Sequence, residues 1–278
     1  MGVLNTSNRA GASGQVSGGG GGGAFYSYQI EQSMRFDRAS DTGLTRTMTT
    51  GTNRKKFTHS VWLKIANTQV NGVAFMIFAA ADASGTNRID NWNLNTGGGS
   101  GVSIQSFAVD SSYDGIFQTN GIYRDYTGWG HYVLAVDTTQ STASDRVKLY
   151  LNGSQITSFS TETYPSQNYD TASGNNGFEM AIGMNCDNAN FGHEFDGYMA
   201  EYNYVDGTAY APTQFGETKN GVWVPKDPSG TSYGNNGHYL KFAVASSLGT
   251  DSSGNGNNFT VENAGADHQV LDSPTFGS

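Results

Sequence analysis

The chain has 278 residues, which is enough for one large all-β domain or two small ones. Its formal net charge is −9 and its 15 lysines and arginines are scattered, so nucleic-acid binding is not expected, because phosphate recognition needs a clustered positive field. Only 14% of the residues are charged and 38 are glycine, which indicates a neutral polar surface with many turns.

The sequence has few marks of secretion or of membrane insertion. Cys186 is the only cysteine, so no disulfide can form within the chain. No stretch approaches the roughly 18 apolar residues that cross a bilayer, and the first residues lack the charged start and apolar run of a signal peptide. We therefore expect synthesis in the cytoplasm and no membrane insertion.

Residues 1–23 form a low-complexity arm. With almost no apolar side chains, the arm cannot offset its ordering entropy by forming a core of its own. We expect it to become ordered only against a neighbouring surface and to act in assembly. Six consecutive glycines end the arm: Gly18, Gly19, Gly20, Gly21, Gly22 and Gly23.

Alternating side chains predict strands at Ser33–Phe36 and Lys56–Ile65, which we expect to pair with each other at the outside of a sheet. His59 lies in the apolar row of the second strand, which favours a core histidine over a ligand or a catalyst. The run at Val73–Ala81 is apolar on both faces and predicts a central strand that is covered on each side.

The segment 82–130 is irregular, and we expect loops to dominate it apart from a strand at Val102–Val109. Its aromatic side chains are interleaved with Asn, Asp and Arg. A ring offers a flat apolar face while neighbouring polar groups bind hydroxyls, so the mixture is typical of a carbohydrate site. For any single ring, packing at a strand end is the simpler interpretation. The candidates for glycan binding are Trp92, Tyr113, Tyr123, Tyr126 and Trp129.

Three successive strands are predicted next. The run His131–Asp137 looks at least partly buried on both faces, and Arg146–Leu151 alternates apolar with polar residues. Asn152-Gly153 tolerates positive φ at low cost, which predicts a two-residue hairpin into a third strand at Ser154–Phe159.

Two more strands are predicted, at Gly177–Met184 and Gly197–Val205. In the second, Tyr198, Tyr202 and Tyr204 are expected to share one face.

The Trp-x-His strand at Trp129, the Leu-Tyr-Leu-Asn-Gly hairpin at Leu149 and the phrase FDGYMAEYNYVDG at Phe195 resemble laminin-G-like, concanavalin-A-like jelly rolls. The resemblance implies an all-β sandwich of two antiparallel sheets, preceded by the extended glycine-rich arm. The expected domains are the arm at 1–23, the jelly roll at 24–216, and C-terminal strands and loops at 217–278 that complete or extend the sandwich. In such chains a short turn or helix follows the Gly197 strand, here at Thr208–Gly216.

Five phrases in the same order resemble structural proteins of tailed, particularly marine, bacteriophages. These are SMRF, YLNG, FDGYMAE, FGETKNGVWVPK and DSSGNGNNFT, which begin at Ser33, Tyr150, Phe195, Phe215 and Asp251. The resemblance implies a virion protein with a lectin-like fold that is assembled in the host cytoplasm.

From this resemblance and the composition we expect a non-enzymatic surface protein, namely a tail fibre, an appendage or a capsid-associated subunit, that adheres to host polysaccharide. Its partners would be other virion subunits and copies of itself, with a trimer by analogy with phage fibres. A purely structural capsid-decorating or tail-adaptor subunit without a ligand is the alternative.

A glycoside hydrolase is the third possibility. Some concanavalin-A-like enzymes carry a Glu-x-Asp-x-Glu strand, because a period of two places all three carboxylates on one face. Glu194 and Asp196 begin this pattern, but Tyr198 stands where the second Glu is needed and Glu201 lies too far along. No catalytic residue is therefore expected.

The loop that starts at Asp251 is rich in oxygen atoms. Asp251, Asn255 and Asn257 could bind Ca²⁺, although the loop lacks the terminal Glu and the flanking helices of an EF-hand. The alternative is a turn of Asx and Gly residues between strands. No other cofactor or metal is expected.

Removal of residues 1–23 should abolish incorporation into the virion and leave the sandwich folded, because the arm has almost no apolar side chains to offer a core. Circular dichroism checks the fold, and the protein composition of purified particles checks incorporation. A truncated chain that still enters particles would contradict the tethering role of the arm.

Overall fold

The computed structural model describes residues 25–66, 74–82, 88–95, 103–110, 113–125, 127–186 and 193–275. In this part of the chain the regular elements are strands and short 3-10 helices. No helix among the described residues is long and apolar enough to span a bilayer. The strands are β1 (Ser33–Phe36), β2 (Gly43–Thr47), β3 (Lys56–Ile65), β4 (Ala74–Ala81), β5 (Arg88–Asn95), β6 (Ser103–Asp110), β7 (Tyr113–Thr119), β8 (Gly130–Asp137), β9 (Val147–Leu151), β10 (Ser154–Ile156), β11 (Phe159–Thr163), β12 (Glu179–Ile182), β13 (Gly197–Asp206), β14 (Gly216–Lys219), β15 (Val222–Pro225), β16 (His238–Leu240), β17 (Thr260–Glu262) and β18 (Gln269–Val270). The 3-10 helices are Arg38–Ser40, Ala143–Asp145, Pro212–Gln214 and Ala266–His268.

Within the described residues, two antiparallel sheets of eight strands each form the body of the protein. Sheet I has the order β10-β9-β8-β3-β13-β1-β18, and β16 also pairs with β13. Sheet II has the order β11-β7-β6-β5-β4-β12-β2-β17. A two-stranded ribbon, β14-β15, is paired with neither sheet.

The main apolar core lies between the two sheets and receives side chains from both. Phe57 and Leu134 come from sheet I, and Phe78 and Trp92 come from sheet II. Burial of one side chain of this size contributes about 1.5–3 kcal/mol to stability. The core therefore holds the sheets face to face, as an all-β sandwich of the predicted class.

The predicted hairpin in the centre of the chain is present. Asn152 and Gly153 have φ values of 48° and 77°, and Leu151 pairs with Ser154 across the turn. The predicted third strand, however, is two strands, because β10 pairs with β9 in sheet I and β11 pairs with β7 in sheet II. The chain crosses between the sheets at residues 157–158, a step that side-chain alternation does not signal.

The first two predicted strands have the expected bounds but the wrong partners. β13 lies between β1 and β3 and pairs with both, so β3 is central and not an outer strand. Sequence neighbours pair in only about two-thirds of cases, and local periodicity carries no information on the exceptions. β4 lies between β5 and β12 with both faces buried, which confirms the predicted central strand.

His59 lies on the core face of β3 and is fully buried. Its Nδ1 is 2.9 Å from the Tyr202 hydroxyl, and burial lowers its pKa well below the usual value. The prediction of a core histidine is confirmed.

The segment 82–130 contains more strand than predicted. The described part holds β5, β6 and β7, a meander within sheet II, and only β6 was expected. In β5 the core residues Trp92 and Leu94 alternate with Asn91 and Asn93, so a period of two is present. Asparagine is uncommon in strands, and its abundance here concealed the pattern.

β13 changes its inward face at a β-bulge. Met199 and Tyr202 both enter the main core, although residues three apart point to opposite faces of a regular strand. The register against β3 shifts between these positions, and Glu201 adopts a φ of 53°. The extra residue restores the core face, and a left-handed residue other than glycine costs about 1–2 kcal/mol.

The bulge also separates the tyrosines of β13. Tyr202 and Tyr204 are buried in the core, whereas Tyr198 lies before the bulge with its ring 6.5 Å from that of Trp129. The prediction that all three share one face is wrong, because the bulge reverses the alternation between the first and the second.

The C-terminal strands are integrated into both sheets. β16 and β18 pair with β13 and β1 in sheet I, and β17 pairs with β2 in sheet II. The predicted short turn or helix after β13 is the 3-10 helix at Pro212–Gln214.

Gly153→Ala should destabilise the protein more than Gly221→Ala, its matched control. Both glycines are left-handed, with φ values of 77° and 81°, so the backbone strain is similar. A Cβ at Gly153 would lie 2.4 Å from Cζ3 of Trp223, whereas nothing lies within 4 Å at Gly221. We expect an extra loss of about 1–3 kcal/mol, the usual cost of overpacking, in urea unfolding. Equal losses would show that the Trp223 contact is unimportant.

Candidate functional site

A groove of about 410 Å³ lies on the outer face of sheet I, away from the main core. Strand β3 forms its floor. Its walls are β15 of the ribbon, the loop at 127–129, the C-terminal segment 272–274, and Tyr26. These parts come from all along the described chain and meet only in the folded sandwich.

The floor follows from the alternation in β3. Val61 and Leu63 are in the main core, so Trp62 and Lys64 point to the opposite face. Trp62 packs there with Ile30 and Ala200 in a smaller apolar cluster that also contacts Trp129 and Trp223.

The ribbon β14-β15 brings Trp223 to the groove. A Cβ on Gly153 or on Gly216 would lie 2.4 and 2.5 Å, respectively, from carbon atoms of the indole ring. The ring therefore occupies space that only glycines leave open, and the turn of the central hairpin helps to fix its position.

His131 holds the other edge of Trp223. The indole N–H donates to Nδ1 of His131 at 3.0 Å. Because an indole nitrogen can only donate, Nδ1 is the acceptor and the imidazole proton is on Nε2, which faces the Ser60 hydroxyl at 2.8 Å. The His131 ring is stacked on Trp62 at an interplanar angle of 28° and lies edge to edge with Trp223, nearly coplanar with it at 22°.

Burial lowers the pKa of His131 to about 3. The imidazole is therefore neutral at physiological pH and keeps Nδ1 free to accept from Trp223. The position of Trp223 does not depend on pH in that range.

Asp272 is the centre of the polar part of the groove. Its Oδ1 accepts the indole N–H of Trp129 at 3.0 Å, and its Oδ2 accepts from Nζ of Lys64 at 2.7 Å. Lys64 also lies over the ring of Tyr198, with Nζ 6.0 Å from the ring centre. One carboxylate thus orients an aromatic ring and an ammonium group together.

The groove offers ring surfaces beside hydrogen-bonding groups. Trp129, Trp223 and Tyr26 are half-buried, so part of each ring is open, and Thr127 adds a hydroxyl. A ligand with apolar faces and hydroxyl edges matches such a lining. Asp272 is the one carboxyl group among the described lining residues, whereas glycoside hydrolysis uses a pair.

The structure brings one of the five predicted glycan-binding residues into the groove, namely Trp129. Trp92 is fully buried in the main core and cannot stack on a surface ligand, so that candidate was wrong. Tyr123 is half-buried against the core and is not part of the groove lining. Tyr126 and the side chain of Tyr113 lie outside what the structure describes.

Sequence analysis missed Trp223, Trp62, Tyr26 and Asp272. The position of Trp62 could have indicated a surface role, because it is a large aromatic residue on the polar face of a strand in which apolar and polar residues otherwise alternate. Trp223 stands beside valines and proline and looks like an ordinary strand residue. Nothing local connects Asp272 with a residue 143 positions earlier, to which it is hydrogen-bonded.

The loop at Asp251 is a network of turns. Both carboxylate oxygens of Asp251 accept hydrogen bonds. Oδ1 accepts from the backbone N–H groups of Tyr239 and Ser253, and Oδ2 accepts from the N–H of Asn257 and from the Ser253 hydroxyl. Burial acts to raise its pKa, but these hydrogen bonds prevail and lower it. Asn255 and Asn257 donate their amides to the carbonyl of Gly237. This arrangement favours the turn interpretation over a calcium site.

In the part of the chain that the structure describes, no cluster of three or more His, Cys, Asp or Glu side chains could hold a metal ion. Glu194 is buried and Asp196 is half-buried just before β13. Neither lines the groove.

No protein-family model and no curated protein matches the sequence. Among solved structures, a candidate carbohydrate binding protein from Bacteroides ovatus is similar with a TM-score of 0.53 at 13% identity, over 84% of this chain and 58% of that one. A heptameric SAP-like pentraxin from Limulus polyphemus has a TM-score of 0.47 at 15% identity, over 67% and 81% of the two chains. Tailspike protein 2 of an Escherichia coli O157:H7 bacteriophage has a TM-score of 0.44 at 12% identity, over 66% of this chain and 23% of that one.

The fold is an all-β jelly-roll sandwich of two antiparallel sheets. The similarity to the Bacteroides protein, at 13% identity, supports this fold alone and establishes nothing about the ligand. The predicted fold class is therefore confirmed, while the bacteriophage resemblance remains a prediction from the sequence.

His131→Gln should change how stability depends on pH. His131 has a pKa of about 3 in the folded protein, against the ordinary histidine pKa of 6.5, so between these pH values only the unfolded chain takes up this proton. The wild type should lose about 1.4 kcal/mol per pH unit relative to the variant as the pH falls from 6.5 towards 3. Urea unfolding at several pH values measures the free energy of unfolding of the wild type and of the variant. If the two free energies depend on pH in the same way, His131 is not buried as a neutral ring.

Proposed function

We propose that the protein binds carbohydrate in the groove without cleaving it. The observation that carries the proposal is the arrangement of Trp129 and Trp223 beside the pair formed by Asp272 and Lys64. The rings would stack on the apolar faces of a sugar, and the charged pair and Thr127 would bind its hydroxyls. The volume of about 410 Å³ lies within the range of small-ligand sites, about 300–1,000 Å³.

The polar side chains of the groove are held before any ligand arrives. Asp272 is held by hydrogen bonds from the Lys64 ammonium group and the Trp129 indole. Trp223 is held by its hydrogen bond to His131 and by close packing against two glycines. A site that is already ordered loses less conformational entropy when it binds. Such preorganisation favours recognition of a hydroxyl-rich ligand whose individual contacts are weak.

We further propose that the protein is a surface component of a bacteriophage virion, as a tail fibre, an appendage or a capsid-associated subunit. The ordered set of phrases that resembles phage structural proteins supports this, and the host's surface polysaccharide would be the ligand. The arm at 1–23 would bind other virion subunits. Copies of the chain would associate, with a trimer by analogy with phage fibres, and several grooves would add avidity.

A purely structural subunit that decorates a capsid or adapts a tail is the second candidate. It is favoured by exposed apolar side chains, in particular Leu271, which is 79% exposed beside the edge strand β18. An exposed side chain of this kind next to a sheet edge suits packing against another subunit. Hydrolysis is a third candidate, against which the single carboxyl of the groove argues.

Trp129→Ala and Trp223→Ala should each weaken glycan binding at least tenfold, because each removes a ring from the groove. Tyr150→Ala is the matched control, since Tyr150 is half-buried in β9 of the same sheet and does not line the groove. A glycan array with the full chain identifies the ligand, and titration calorimetry measures the three variants.

Absence of binding to any host surface polysaccharide would favour the structural alternative. Shortened oligosaccharide products would instead support a hydrolase. Unchanged binding in both tryptophan variants would place the binding site outside the groove.

A further inference from the structure

Two hairpin turns of the fold have closely similar backbones. Asn152-Gly153 joins β9 to β10, and Asn220-Gly221 joins β14 to β15. All four residues are left-handed, with φ values of 48° and 77° in the first turn and 52° and 81° in the second. The two turns therefore differ mainly in what surrounds the asparagine side chain.

Asn152 is held in its turn. Its side-chain oxygen accepts the backbone N–H of His131 at 2.8 Å. A Cβ on Gly153 would lie 2.4 Å from the indole ring of Trp223, so the space beside this glycine is filled. If the Asn152 side chain turned towards the backbone nitrogen of Gly153, it would have to break the hydrogen bond and displace the ring.

Asn220 has neither restraint. Both Asn220 and Gly221 are exposed, and nothing lies within 4 Å of a Cβ built on Gly221. Among the hydrogen bonds of the described residues, none involves the Asn220 side chain or the Gly221 N–H. The side-chain carbonyl carbon of Asn220 and the backbone nitrogen that follows it are therefore both unhindered.

The other Asn-Gly pairs of the described chain are each restrained. Three of these asparagines donate their side-chain amide to a neighbouring oxygen at 2.7–3.0 Å, namely Asn120, Asn236 and Asn255. In the pair at Asn176, the N–H of Gly177 donates to the Met48 carbonyl at 2.9 Å. A further pair, at Asn71, lies outside the described residues. Asn220-Gly221 is thus the one described pair in which both groups are free.

Two free groups of this kind react with each other. The backbone nitrogen of Gly221 loses its proton and attacks the side-chain carbonyl carbon of Asn220, and the bond from this carbon to the amide nitrogen breaks. Ammonia leaves with the proton, and a succinimide ring remains. Glycine favours this step, because it has no side chain to hinder the ring.

Water then opens the succinimide in one of two ways. Addition of water at the former side-chain carbonyl gives aspartate. Addition at the backbone carbonyl gives isoaspartate, in which the main chain runs through the former side chain. The overall reaction consumes one water, releases one ammonia and needs no enzyme or oxidant.

We propose that Asn220-Gly221 is a site of spontaneous deamidation, and that its isoaspartate product loosens the Trp223 wall of the groove. The covalent reaction is independent of the proposed function. Its effect on ligand binding rests on that function, because only there does the groove bind a ligand.

The ribbon transmits the modification to the groove. Lys219 pairs with Val222 on the two sides of the turn, and Thr218 pairs with Trp223. Isoaspartate adds a backbone carbon to a turn of two residues, and turn length sets the register of a hairpin. A change of register displaces Trp223, whose indole N–H is held by His131 at 3.0 Å. Aspartate leaves the backbone unchanged and adds only a negative charge.

Peptide mapping by mass spectrometry, on the folded full chain incubated at pH 8, measures deamidation at each pair. Asn220 should react at least about tenfold faster than Asn152, because the slower site must first break a hydrogen bond and displace an indole ring. In concentrated urea the chain is unfolded and these restraints are lost. The difference between the two sites should then largely disappear, which makes the unfolded chain the matched control.

Hydrogen exchange of the Trp223 indole N–H, measured by nitrogen-15 NMR, reports whether the groove wall loosens. The signal is identified by its absence in Trp223→Phe. It should exchange faster in the separated isoaspartate form than in the fresh wild type. Freshly prepared Asn220→Asp should exchange as the wild type does, because its backbone is not lengthened.

Asn220→Gln controls for other effects of incubation. Glutamine has one more methylene group and closes a larger ring more slowly, so residue 220 should stay unmodified. The Trp223 indole of the incubated variant should then exchange at the rate of the fresh variant.

The site is refuted if Asn220 does not deamidate in the folded protein, or if it reacts no faster there than Asn152. Equal indole exchange in the isoaspartate form and the fresh wild type refutes the effect on the groove. None of these measurements requires a glycan. A fresh protein that binds no glycan therefore refutes only the proposed function, and a glycan-binding protein that keeps Asn220 intact refutes only the modification.

Discussion

The bulge in β13 is the constraint on which both faces of sheet I depend. Met199 and Tyr202 must both fill the core between the sheets, and a regular strand would turn one of them outwards. The chain resolves this by inserting Glu201 in a left-handed conformation. The core therefore compensates the local strain, and the same insertion carries a carboxyl group into a nearly buried position. A fold requirement has placed an ionisable group where its charge is costly.

The groove lies on the face of sheet I that points away from the main core. β3 supplies core residues on one side and Trp62 and Lys64 on the other, so the rigid centre of the sheet is also the floor of the site. The walls come mainly from elements that belong to neither sheet, namely the ribbon and the two ends of the described chain. Such a division allows the residues of the walls to differ while the scaffold stays the same.

Much of the scaffold was predictable because it depends on local chemistry. The hairpin at Asn152 needs only two residues that accept positive φ, and the burial of His59 needs only its place in an alternating apolar strand. The prediction of the binding site was less accurate. Trp92 was taken for a surface ring because asparagines surround it, yet those asparagines alternate with core residues, and the indole is buried. Aromatic and polar composition cannot distinguish the two cases without the sheet.

The sequence by itself determined the class of the fold, most strand positions and the central turn, since side-chain periodicity and turn chemistry act over a few residues. Only the tertiary structure decided which strands pair, where β13 changes its inward face, and which side chains form the groove. Trp129 and Asp272 are 143 residues apart, and Tyr28 and Glu201 are 173 apart. Their contacts arise from the packing of whole strands, and no local pattern in the chain encodes a distance of that kind.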